Sequence, residues 1–218
     1  MKKLAILGAG GFAREVEYLV RELNQVRPEY DFLGFLVSDV SLLRETDSRS
    51  QVLGDLGWLA ENRVDALAFG IGNPQAKLRI AAELATKFPD VEWPSLIHPT
   101  AQFDFESAKI GRGVVVCAGC VGSVNMTLDD FSMINKGCMI GHEAYIGKWA
   151  VVNAAANISG GVILEDGVLV GTGASVLQYR RIGANAVVGS GAVVVKDVDP
   201  AITVFGNPAR RIFKDAAE

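Results

Sequence analysis

The sequence predicts two units of different class: an α/β domain over residues 1–96 and an all-β coiled domain over residues 97–218. Three observations carry this. Apolar strand runs alternate with helical patterns through the first ninety or so residues, the grammar of a parallel sheet covered by helices. A glycine-rich turn, GAGGFA at 8–13, joins the first strand to the first helix. From Ile110 onward an aliphatic side chain recurs every six positions, a period that belongs neither to a helix nor to an ordinary alternating strand.

In chain order, KLAIL at 3–7 reads as a buried strand, followed by a helix that places Phe12, Val16, Leu19, Val20 and Leu23 on one face. FLGFLV at 32–37 and ALAFGIG at 66–72 read as further strands. Asn73 and Pro74 then supply a cap and a first-turn proline for the helix AKLRIAAELATKF. This is a Rossmann-like arrangement. GAGGFA satisfies G-x-G-x-x-[GA], so backbone N–H groups at the start of the helix can cradle a phosphate. Read alone, the turn suggests a nicotinamide cofactor. The acidic residue of that fingerprint belongs about twenty positions on, whereas the second strand ends near Asp39, too late for the pattern.

After IHPT at 97–100 the helical patterns stop. Stepping by six from Ile110 to Val194 meets fourteen aliphatics in fifteen positions, Gly122 being the exception. Two places before each stands a small or modest residue such as Cys120, Cys138, Ala144 or Ala156, and glycine, aspartate or asparagine often follows. A short flat strand and a corner fit this period. The aliphatic and the small residue face inward, the residue between them faces outward, and three such sides close a triangular coil. The outward positions are apolar: Val115, Val121, Met133, Met139, Tyr145, Val151, Ile163, Leu169, Val187 and Val193. Rows of this kind on a monomer favour association, so a subunit interface is expected.

His142 and Glu143 fall at a corner, two and three steps after Ile140, and therefore project away from the packed interior. A neutral imidazole there suits a general base, and a carboxylate beside it can fix the tautomer and stabilise the imidazolium. A solvated histidine in a turn is the bland alternative.

The surrounding stretch, NKGCMIGHEAYIG at 135–147, resembles the active-site segment of the sugar acetyltransferases that include the sialic-acid O-acetyltransferases and the bacillosamine-pathway amino-sugar N-acetyltransferase. The likeness extends over essentially the whole chain, with the repeat half resembling the left-handed parallel β-helix of the hexapeptide acyltransferases. It implies acetyl-CoA as co-substrate, no metal, and a homotrimer with sites in the clefts between neighbours. It also implies His142 as the base, Glu143 as its partner and Asn135 as a polar neighbour. Gly160, Thr172 and Ser190 match positions set against the cofactor. VFGNPARRI at 204–212 resembles the terminal element of these enzymes, which assigns Arg210 and Arg211, with Lys196, to the phosphates of CoA. The resemblance gives the glycine loop to a nucleotide-sugar substrate, near Gly10, Gly11, Phe12, Ser38 and Asp39. Two departures bear on the acceptor: Phe12 and Val151 stand where relatives carry histidines.

The remaining totals narrow the classes. The chain has 218 residues, half of them hydrophobic, and a net charge of −4 with scattered basic residues, so no electrostatic footprint for nucleic acid or a membrane surface is expected. The apolar start is too short and too broken by glycine for a signal peptide, and no run approaches the ~20 apolar residues of a membrane span. A cytoplasmic location is expected. Cys117, Cys120 and Cys138 occupy repeat positions and read as reduced structural thiols, a lone C-x2-C being weak support for zinc. Two histidines as far apart as His98 and His142 do not make the three-histidine site of a β-helical zinc lyase. The leading expectation is an acetyl-CoA-dependent N-acetyltransferase acting on a nucleotide-linked amino-deoxysugar. O-acetylation of a sugar such as sialic acid comes second, and a nicotinamide-dependent oxidoreductase is a distant third.

Overall fold

The computed structural model describes residues 1–47 and 49–212, and it divides into two compact units, Met1–Pro99 and Thr100–Glu218. The end of the expected tail, residues 213–218, lies outside the described residues. In the first unit β1 (Lys2–Leu7), α1 (Gly11–Val26), β2 (Tyr30–Val37), β3 (Val52–Asp55), β4 (Ala66–Phe69) and α2 (Pro74–Lys87) follow in order. The four strands form one parallel sheet in the order β3-β2-β1-β4. Leu4 to Leu7, Phe35, Leu36 and Ala66 to Phe69 are buried, the continuous apolar strands expected of a sheet covered on both faces. Ala13, Val16, Leu19 and Val20 form the buried face of α1, while Phe12 and Leu23 are half-buried. The Asn73 side chain caps α2 by accepting from Ala76 N at 2.9 Å. Strand β3 carried no signal of its own, because VLGD is short, broken by a glycine and lies at the sheet edge.

The second unit is a left-handed parallel β-helix of two-residue strands. Each strand pairs with the one eighteen residues on, as Met133 with Val151 and Met139 with Asn157, so three six-residue sides make one coil. The first face holds Val115–Val116, Met133–Ile134, Val151–Val152, Leu169–Val170 and Val187–Val188. The second holds Val121–Gly122, Met139–Ile140, Asn157–Ile158, Ser175–Val176 and Val193–Val194. The third holds Lys109–Ile110, Thr127–Leu128, Tyr145–Ile146, Ile163–Leu164 and Arg181–Ile182. Inward residues such as Ile134, Ile146, Val152, Leu164 and Val170 are wholly buried, each worth about 1.5–3 kcal/mol of hydrophobic stabilisation. Cys120 and Cys138 also point inward, and the three cysteines are buried thiols, none of them in a disulfide.

The outward rows differ from expectation on the first face. Val115, Met133 and Val151 are buried within the single chain, so they offer nothing to another subunit. Val121, Met139 and Ile163 remain exposed on the other two faces.

Candidate functional site

The corners of the β-helix decide how side chains leave it. Three positions after the inward aliphatic the backbone adopts left-handed φ, which glycine meets freely and which costs other residues about 1–2 kcal/mol. Glu143 sits there with φ 59°. His142, one position earlier, stands out from the corner with its side chain 51 % exposed. Its ring rests on the coil below, directly over Gly160: a Cβ placed on Gly160 would lie 2.3 Å from His142 Nε2 and 2.6 Å from Cε1. Nδ1 faces the Glu143 carboxylate at 3.6 Å, long for a hydrogen bond but within ion-pair reach. Such contacts often tighten only when substrate binds. The pair can accept a proton at Nε2 and hold the resulting charge with Glu143.

Coil stacking sorts the remaining residues onto two edges. His142, Gly160 and Lys196 share the edge between the second and third faces, Gly160 one coil and Lys196 three coils on from His142, with Glu143 next to His142. Asn135, Thr172 and Ser190 occupy the edge between the first and second faces, where Gly191 N donates to Thr172 O at 2.9 Å. Asn135 is therefore not beside His142 within the chain; the strand Met139–Ile140 separates the two corners. The Asn135 side-chain oxygen accepts from Lys136 N at 2.7 Å. Between the two edges the second face carries an open groove of about 450 Å³, lined by Val121, Ser123, Met139, Asn157 and Ser159 among others.

At the C-terminal end Lys196, Arg210 and Arg211 line one cleft of about 310 Å³. Asp197 and Asp199 line it too, which the sequence reading did not anticipate. Asp197 is engaged elsewhere: its carboxylate accepts from Arg181 N at 3.1 Å and pairs with Arg180 at 3.6 Å.

In the first unit a cleft of about 170 Å³ opens at the carboxyl ends of β1 and β2, the usual ligand position of such sheets. Ser38 and Asp39 line it, but the glycine loop contributes Gly8 and Ala9 rather than Gly10, Gly11 or Phe12. Gly10 is the N-cap of α1 and supplies no side-chain cap, so the first N–H groups of the helix lack one. The Asp39 carboxylate accepts from Ser41 Oγ at 2.7 Å and Ser41 N at 2.8 Å, and these bonds hold its pKa below the ordinary value. Leu43 and Asp47 also line the cleft; they come from a segment of short turns with no periodic signal. Among the described residues no group of three or more His, Cys, Asp or Glu is placed to hold a metal ion. No described helix is long and apolar enough to cross a membrane.

Residues 3–84 match the PglD N-terminal domain family. Across 98 % of both chains the fold matches perosamine N-acetyltransferase from Caulobacter crescentus, solved in complex with CoA and GDP-perosamine, with a TM-score of 0.86 and 25 % identity. The acetyltransferase domain of PglB from Neisseria gonorrhoeae, in complex with acetyl coenzyme A, matches with a TM-score of 0.84 and 27 % identity over 97 % of this chain and 99 % of that one. WeeI from Acinetobacter baumannii matches at 0.83 and 27 % over 97 % and 100 %. Among curated proteins, an acyl-carrier-protein-dependent UDP-N-acetylglucosamine O-acyltransferase of Pseudomonas aeruginosa is 32 % identical over 122 residues, 56 % of this chain and 46 % of that protein. The chain thus spans about half the length of the curated relatives it matches.

Proposed function

We propose that this chain, a member of the hexapeptide-repeat sugar acetyltransferase family, transfers acetyl from acetyl-CoA to the amino group of a nucleotide-linked amino-deoxysugar. The observation that carries the reading is His142, an exposed imidazole seated on Gly160 with its Nδ1 toward a carboxylate. Direct transfer follows from these groups. The sugar amine attacks the thioester carbonyl carbon, forming the C–N bond. His142 Nε2 takes the proton that the nitrogen must lose, and Glu143 stabilises the imidazolium. The C–S bond then breaks, and the imidazolium returns the proton to the departing thiolate of CoA. Lys196, Arg210 and Arg211 are suited to CoA phosphates, and the cleft lined by Ser38 and Asp39 to the nucleotide.

A homotrimer completes the reading. Within one chain His142 and the trio Asn135, Thr172 and Ser190 lie on opposite edges of the second face, which carries the exposed Val121 and Met139. Packing a neighbour against that face brings an edge of each kind together and covers the apolar pair. A solution mass equal to one chain would remove this part of the proposal.

O-acetylation is the second reading, favoured by the likeness to an O-acyltransferase and compatible with the same base. Release of free CoA thiol, followed over a panel of nucleotide amino sugars and sialic acids, tests both. Thiol release with the amino sugars alone supports N-transfer, and release with none of the panel contradicts the assignment.

A further inference from the structure

Tyr179 lies on the same edge as His142, three positions after the inward Val176 and therefore at a left-handed corner, with φ 57°. Among the aromatic residues in that conformation, Phe131 and Trp149 stack on each other with ring centroids 4.2 Å apart, which offsets their strain. Tyr179 has no such partner. It is 63 % exposed, and its hydroxyl makes no hydrogen bond among the described residues. One edge of its ring lies against Gly161, where an added Cβ would come within 2.3 Å of Tyr179 Cδ1. Gly161 is the chain neighbour of Gly160, the seat of His142, and their Cα atoms are about 3.8 Å apart. The corner imposes the left-handed φ, as it does at Ala155 and Asn185; what sets Tyr179 apart is a large, exposed ring held on Gly161 next to the seat of the base.

Position along the edge identifies the ligand. His142, Gly160, Gln178 and Lys196 follow one another at eighteen-residue steps, so base and basic cluster are three coil spacings apart, about 14 Å at ~4.8 Å each. An acyl-CoA with its thioester at His142 and its phosphates near Lys196, Arg210 and Arg211 must lay its pantetheine arm across the two coils between them. The first presents Gly160 and Gly161, and the second presents Leu177, exposed and apolar, Gln178, and Tyr179. We infer that Tyr179 is a binding residue for acyl-CoA, its ring forming part of the surface on which the pantetheine arm runs between the base and the basic cluster. The inference rests on the acetyl-CoA reading above.

Calorimetric titration with CoA, together with thermal unfolding, tests it on the full chain. Wild type and Tyr179→Phe should bind alike, because the ring and not the hydroxyl makes the surface. Tyr179→Asn should bind CoA about tenfold more weakly, equivalent to about 1.4 kcal/mol, with an unchanged KM for the sugar. Its Tm should be unchanged or higher, because asparagine tolerates left-handed φ better than tyrosine. Unaltered CoA affinity in Tyr179→Asn overturns the inference, and so does weaker binding accompanied by a lower Tm, which would make the residue structural. A rise confined to the sugar KM overturns it in favour of an acceptor contact. Failure of the wild type to bind CoA removes the acetyl-CoA reading itself, and the inference with it.

Discussion

Gly160→Ala separates a seat for the base from a contact for the cofactor. The backbone at Gly160 lies outside the left-handed region, so alanine carries no conformational penalty there. Its methyl group, however, would sit 2.3, 2.6 and 2.8 Å from three atoms of the His142 ring. Ordinary contact begins near 3.4 Å, so Nε2 must retreat by 3.4 − 2.3, about 1.1 Å. The imidazole is half exposed and turns away into solvent rather than forcing the coils apart. A displacement of this size costs on the order of a hundredfold in turnover when the group is a general base. We expect kcat to fall by about that factor, with CoA affinity and Tm close to wild type. Stopped assays of thiol release, paired with CoA titration, read both quantities. Near-normal turnover would refute the seating argument, and a loss confined to acetyl-CoA binding would return Gly160 to the cofactor.

Three further outcomes follow from the same geometry. His142→Ala should fold, bind CoA normally and lose at least about a hundredfold in turnover; normal turnover would make the histidine a solvated corner residue. Arg210→Ala should weaken CoA binding and reduce its salt dependence, measured by titration at two ionic strengths, since the residue shares a cleft with Lys196 and Arg211. Lys77 is buried on α2 with Pro74, Ile80 and Leu84, and burial lowers its pKa from 10.5 to about 7. Between those values the unfolded chain binds a proton that the folded chain does not, so wild-type stability rises with pH across that window. Lys77→Met should therefore abolish the rise in Tm between about pH 7 and pH 10 that the wild type shows; an equal rise in the variant would contradict the assignment of that slope to Lys77.

Local chemistry made several features legible. The six-residue aliphatic period announced the triangular coil because each side must turn one apolar residue inward. The cap at Asn73 announced α2 because its side chain satisfies a helix N–H within three residues. Strand β3 and Asp47 were not legible: neither belongs to a periodic run, and each is placed by what it packs against. The burial of Val115, Met133 and Val151 was equally hidden, since their positions in the repeat do not differ from those of exposed Val121 and Met139.

The sequence alone determined that His142 and Glu143 leave the β-helix at a corner, because the register of inward residues allows no other direction. Only the tertiary structure decided what lies beneath them. Gly160 is eighteen residues away in the chain and one coil away in space, and whether the ring folds onto it depends on the absent Cβ and the stacking of coils. The same stacking parted Asn135 from His142 and set the Tyr179 ring on Gly161, next to the glycine beneath the base. These relations arise between coils, where contacts are set by the closure of three sides rather than by any local preference of the chain.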